Sequence, residues 1–198
     1  LVTTREADLT ALKDVNLEIS NGNVVANEKM ESSLKNVYVP GDVNGKKLLA
    51  HAAFKMGYIA ASEIVEGKSD KYNNNIIPRA IYTYPEIGSV GITEEEAKKS
   101  YDVKVGKFNY GANGRALAHG DSSGMVKIIS DARYGEILGA HIVGPRASEL
   151  INEVSILMQS EVIVEEAIKM VFGHPTFSEA IYEAIADVEG VSVHLPKK

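Results

Sequence analysis

Between Lys46 and Glu66 the apolar residues Leu48, Leu49, Ala52, Ala53, Met56, Ile59, Ala60 and Ile64 recur at intervals of three and four. That spacing gathers side chains onto one stripe of an α-helix. Gly67 stands where such a helix needs a left-handed residue to close it, so a helix is expected from about Lys46 to Gly67. Upstream the pattern is shorter in range. Leu17-Glu18-Ile19 and Val24-Val25-Ala26 flank the turn Asn21-Gly22-Asn23 and predict a β-hairpin, and Asn36-Val37-Tyr38-Val39 predicts a strand running into Pro40-Gly41-Asp42. Val2-Thr3-Thr4 reads as the end of another strand.

The stretch 67–75, Gly-Lys-Ser-Asp-Lys-Tyr-Asn-Asn-Asn, is polar and without periodicity. It has the character of a linker, and we place a domain boundary there, with one domain over 1–75 and a second over 76–198. In the second domain, strands are expected over Ile76–Tyr82, Val103–Asn109, Met125–Ser130 and Ile137–Val143. Helices are expected over Thr93–Lys99, Ala147–Gln159, Val164–Val171 and Thr176–Asp187, the first opened by a Thr93/Glu96 capping box. Strands first and helices mostly afterwards predict an α+β fold, an antiparallel sheet with helices packed on it.

Composition narrows the chemistry. The 198 residues carry 21 Lys plus Arg against 27 Asp plus Glu, a formal net charge of −6. No basic surplus exists to neutralise phosphates or lipid headgroups, so neither nucleic acid nor membrane is an expected partner. Cysteine is absent, which excludes disulfides, thiolate metal sites and thiol nucleophiles within the chain. No apolar run approaches the roughly 20 residues of a membrane span, and Leu1 to Glu6 lacks the sections of a signal peptide, so a cytoplasmic location is expected. The chain opens on Leu1 rather than Met and goes straight into Val2-Thr3-Thr4, so a truncated chain is one expectation. Neither a Gly-x-Gly-x-x-Gly loop, a P-loop nor a Gly-x-Ser-x-Gly elbow occurs, and the histidines lack the spacing of a metal site.

Two segments carry candidate chemistry. Gly41-Asp42 ends an expected strand and precedes a helix; a carboxylate at that place can accept hydrogen bonds from the hydroxyls of a nucleotide-type cofactor, or can simply shape a turn. In Gly173-His174-Pro175-Thr176-Phe177-Ser178-Glu179, an imidazole five residues from a carboxylate suits a base that takes a proton and later returns it. The same spacing makes Thr176 and Glu179 a capping box, which would leave His174 an ordinary surface residue. His51, His119, in the glycine-rich loop 111–124, His141 and His194 read as lone histidines.

Taken in order, these and neighbouring motifs resemble the flavin-dependent pyridine nucleotide-disulfide oxidoreductases, and within them the dihydrolipoamide dehydrogenase branch. Residues 35–43, Lys-Asn-Val-Tyr-Val-Pro-Gly-Asp-Val, resemble the family's second FAD-contacting motif, and Leu48 to Ala53 the helix start beneath the flavin. Tyr82 to Gly91 resembles the first strand of the interface domain and the turn after it. Arg115-Ala116-Leu117, Ile137 to Gly144 and Ala147 to Ile151 continue in family order, and His174 to Glu179 resembles the catalytic signature.

The resemblance implies that His174 is the acid/base for a dithiol and Glu179 its orienting partner. It implies that Gly41 and Asp42, with backbone at Leu49, Ala50 and His51, face FAD, and that no metal is held. It further implies a homodimer working in cell redox homeostasis, with NAD as electron acceptor and the lipoyl-bearing subunit of a 2-oxo acid dehydrogenase or glycine cleavage complex as partner. Residues 1–75 become a partial FAD-binding-domain segment and 76–198 an interface domain. Thr3-Thr4-Arg5-Glu6 departs from the family's Gly-Arg-x-Pro-Asn stretch, and the redox disulfide and both glycine-rich nucleotide motifs are missing, so the fragment is expected to be inactive alone. A stand-alone docking module and a fragment of a glutathione-reductase-like enzyme are the alternatives.

Overall fold

The computed structural model describes residues 5–195; the strand end expected at 2–4 lies outside them. The chain divides into two compact units between Asn74 and Asn75.

In the first unit, β1 (Ile19–Ser20) and β2 (Asn23–Val24) pair antiparallel around Asn21-Gly22, both with positive φ. Asn-Gly favours this turn because its two central residues must be left-handed to match the twist of the strands. The strand expected over 36–39 contributes only a single bridge, Glu31 to Tyr38, because Asn36 turns the chain with φ 64°. Helix α1 (Ala50–Glu66) starts four residues later than the apolar spacing suggested, since a 3-10 turn over Asp42–Asn44 and a left-handed Gly45 occupy the approach. Gly67 closes it with φ 64°, its N–H donating to Glu63 O at 3.0 Å. Ala52, Met56, Ile59 and Ala60 form the buried stripe.

The second unit contains β3 (Arg79–Ile81), β4 (Ile87–Gly91), α2 (Glu94–Ala97), β5 (Val103–Asn109), α3 (Gly114–His119), β6 (Met125–Asp131), β7 (Ile137–Val143), α4 (Ala147–Gln159), α5 (Val164–Ala167) and α6 (Glu179–Val188). The strands form one antiparallel sheet in the order β3-β4-β7-β6-β5. This is the expected α+β architecture. Val90, Phe108, Val126, Ile128, Ala140 and Ile142 from the sheet pack against Ile151 and Val154 of α4 and Ile181 and Ile185 of α6. A smaller cluster of Ala97, Ile129 and Leu138 includes α2, whose N-terminus carries the complete Thr93/Glu96 capping box.

Several expectations need correction. Residues 87–91, which lay outside the expected strands, are a strand between β3 and β7. Two glycines masked it, and Gly88 has a packing reason: a Cβ there would lie 2.4 Å from Ala147 O, so its absence lets α4 press on the sheet. The glycine-rich loop 111–124 contains α3, with His119 in its last turn. Helix α5 stops at Ala167 rather than Val171, where β-branched Ile168 and Val171 and then Gly173 weaken continuation. Helix α6 starts at Glu179 rather than Thr176, for a reason that belongs to the site below.

Candidate functional site

Thr176 does not cap α6. Its hydroxyl turns back to donate to Gly173 O at 2.7 Å, while its N–H donates to Glu179 Oε2 at 2.8 Å, so residues 173–178 form a turn that feeds the helix. The other carboxylate oxygen, Glu179 Oε1, lies 2.8 Å from His174 Nδ1. Glu179 therefore does both things its position suggested, one oxygen for the backbone and one for the imidazole. Burial alone would raise its pKa, but the Thr176 N–H and the His174 ring together hold it below the usual carboxylate range. An ionised carboxylate only accepts, so Nδ1 is the donor and the lone pair of a neutral imidazole sits on Nε2. With the His174 side chain 74% exposed, that ring is presented outward on a fixed hinge.

The turn rests on the core. Phe177 meets Tyr110 and His119 edge-on, with ring centroids at 6.3 and 5.7 Å. Ser178 Oγ donates to Glu153 of α4 at 2.7 Å. Asn113, the N-cap of α3, donates from Nδ2 to Thr176 O at 3.0 Å.

A second histidine–carboxylate pair escaped the sequence reading. Glu183, one turn beyond Glu179 on α6 and 3% exposed, accepts from Ser192 Oγ, Val193 N at 3.0 Å, His194 N at 3.2 Å and His194 Nδ1 at 2.7 Å. Burial opposes its charge, and these donors outweigh burial and keep it below the ordinary range. The i, i+4 spacing of the two glutamates was visible in the sequence; that the chain returns to place His194 on the second was not. His141 is different again, since burial lowers its pKa and its Nε2 has no partner. Among the described residues no group of three or more potential ligands could hold a metal, and no described helix is long and apolar enough to cross a membrane.

The other sequence candidates lie in the first unit. Gly41, φ 90°, precedes the turn that begins at Asp42, whose Oδ2 pairs with Arg5 Nη1 at 3.0 Å. Leu49 is the N-cap of α1 and supplies no side-chain cap, and the helix opens at Ala50 and His51.

An antiparallel interface-type sheet that carries a His–Glu pair at the head of its last helix defines a class. Residues 77–185 match the family described as pyridine nucleotide-disulphide oxidoreductase, dimerisation domain, and the chain belongs to that family. Among curated proteins it is 39% identical over 184 residues to a dihydrolipoyl dehydrogenase of Bacillus subtilis, covering 92% of this chain and 40% of that protein. It is 41% identical over 175 residues to the dihydrolipoyl dehydrogenase of Thermus scotoductus, covering 88% and 38%. The chain thus spans about two fifths of the length of these relatives. In fold it is similar to LpdA of Mycobacterium tuberculosis, with a TM-score of 0.84, 24% identity, and coverage of 89% and 39%. It is equally similar to the flavoprotein disulfide reductase RclA of Escherichia coli, with a TM-score of 0.84, 24% identity, and coverage of 94% and 44%.

Proposed function

We propose that this chain is the carboxyl-terminal part of a dihydrolipoamide dehydrogenase that oxidises dihydrolipoamide with FAD and passes the electrons to NAD, acting as a cytoplasmic homodimer. The observation that carries this reading is the His174–Glu179 pair: an ionised carboxylate fixes Nδ1 as donor and leaves Nε2 outward to take a proton from a substrate thiol and return it. Removing that proton makes the thiolate, the form that attacks a disulfide. The disulfide must come from other residues, because this chain has no cysteine, and alone it is inactive toward dithiols.

The first unit fits a flavin in its donor chemistry. The Asp42 carboxylate, paired with Arg5, is of the chemistry that accepts a ribityl hydroxyl. Helix α1, which opens at Ala50 and His51 without a side-chain cap from Leu49, has at its start the positive end of a helix dipole, which suits a ring that carries negative charge. Bound flavin supplies the two-electron relay between a dithiol and a nicotinamide. Lipoyl-bearing subunits of 2-oxo acid dehydrogenase or glycine cleavage complexes are the expected substrate carriers.

His174→Gln in the full-length flavoenzyme tests the assignment. Flavin reduction by dihydrolipoamide in an anaerobic stopped-flow experiment should slow by roughly 10²–10⁴, the usual worth of general acid–base catalysis, while the flavin absorbance of the purified protein is retained. Unchanged reduction removes His174 from the mechanism.

A further inference from the structure

We propose that Asn113 is a positioning residue for the His174–Glu179 pair, acting through the Thr176 peptide; this rests on the acid/base reading above. Asn113 is 3% exposed and its carboxamide is used at both ends. Oδ1 accepts from Ala116 N at 2.9 Å, capping α3, and Nδ2 donates to Thr176 O at 3.0 Å, across 63 residues of sequence. Its own N–H donates to Tyr110 O at 2.9 Å and its carbonyl accepts from Leu117 N at 3.0 Å, so the side chain has little freedom to wander.

Thr176 is the other half of the device. Its carbonyl is held by Asn113, its N–H by Glu179 and its hydroxyl by Gly173, so each of its polar groups is engaged. A residue pinned at three points sets the height of the turn above α3, and that turn determines where the Glu179 carboxylate meets His174 Nδ1. Phe177, seated edge-on between Tyr110 and His119, supports the same turn by packing but fixes neither its rotation nor the register of its peptides. The Asn113 donor does fix them, and it reaches Thr176 from outside both the turn's own residues and α6. Buried amides with such paired use are costly to replace, because each unmatched group keeps its desolvation penalty.

The chemistry allows a clean separation of the two roles. Asn113→Asp keeps an N-cap oxygen for Ala116, since Asp caps as well as Asn, but sets an oxygen against the Thr176 carbonyl in place of a donor. Asn113→Ser also caps, and it simply fails to reach Thr176, without adding charge. In the 198-residue chain, proton NMR of the His174 Nδ1–H reports the pair directly. The expected result is that this downfield resonance, protected in the parent protein, is lost to solvent exchange in both variants, while the amides of Ala116 and Leu117 keep their protection. In the full-length flavoenzyme, both variants should lower kcat by tenfold or more with KM little changed, and should add nothing in the His174→Gln background.

If the Nδ1–H resonance persists in Asn113→Ser and Asn113→Asp, Asn113 does not position the pair and the proposal is overturned, whatever turnover does. If the resonance is lost while turnover is unchanged, the positioning stands and it is the acid/base role of His174 that fails. If the α3 amides lose protection in Asn113→Asp, Asn113→Ser decides the matter by the same resonance.

Discussion

Gly106→Ala should push α6 off the sheet. Gly106 sits in β5 opposite Ile128, on the face that meets α6. A Cβ built there would lie 2.0 Å from Ala184 O, 2.7 Å from Val188 N and 2.8 Å from Val188 Cγ2. The closest ordinary carbon–oxygen contacts are roughly 3.3–3.6 Å, so the helix would have to retreat by more than about 1 Å. Two of the three obstructing atoms are backbone and cannot rotate away. Overpacking of this kind costs about 1–3 kcal/mol, and the rigid obstacle places it toward the upper end. Replacing glycine stiffens the unfolded chain and returns about 0.4–1 kcal/mol, which leaves a net loss of roughly 2 kcal/mol.

Urea unfolding followed by far-ultraviolet circular dichroism reads this as a lower midpoint at constant m, by roughly 1 M if m is about 2 kcal/mol per M. Gly111→Ala is the control. Gly111 has ordinary φ and nothing within 4 Å of the place its new methyl would occupy, so its midpoint should move by less than about 0.5 kcal/mol equivalent. Equal midpoints for the two variants would refute the reasoning that backbone proximity at Gly106 sets the spacing between sheet and helix.

Two further predictions concern the carboxylates. Glu183→Gln keeps the shape but removes the charge from a site with four donors, and should destabilise the protein by about 1.5–3 kcal/mol at pH 7 in urea unfolding. Because the folded-state pKa of Glu183 is depressed, its contribution is full above the unfolded carboxylate value and is lost as pH falls through the folded one; the gap between parent and variant should therefore narrow below about pH 4.5. A gap that widens on acidification would reverse the sign of the argument. Glu94, hydrogen-bonded by Lys127 and then by Lys98, is lowered to about 2. Lys127→Met should return its midpoint toward the ordinary range in a carboxyl-carbon NMR titration, and an unmoved midpoint would leave Lys127 without that role.

The bounds of strands β5 and β7 and of helix α4 are those the sequence predicted, because their runs of apolar residues are bounded by turn residues and have lengths that suit a strand or a helix. The Gly67 closure and the Thr93/Glu96 capping box were legible too, since both depend on residues within one turn of each other. Strand β4 was not. Its glycines carry no hydrophobic signal, and Gly88 makes room for Ala147, which lies 59 residues away and which no local pattern anticipates. The same division runs through the candidate site. His174 and Glu179 are near enough in sequence to be suspected, and the motif order made the family visible.

The candidate residues, the α+β class of the second unit and the family of the chain were therefore readable from the sequence, because each rests on short-range spacing or ordered motifs. Tertiary structure alone decided that one Glu179 oxygen serves the backbone and the other the imidazole, that Glu183 gathers Ser192 and His194 around a buried charge, and that Asn113 grips Thr176. These are contacts in which a buried polar group must find a partner somewhere on the folded chain. Which partner it finds is set by the packing of helices on the sheet, a long-range outcome that no window of sequence contains.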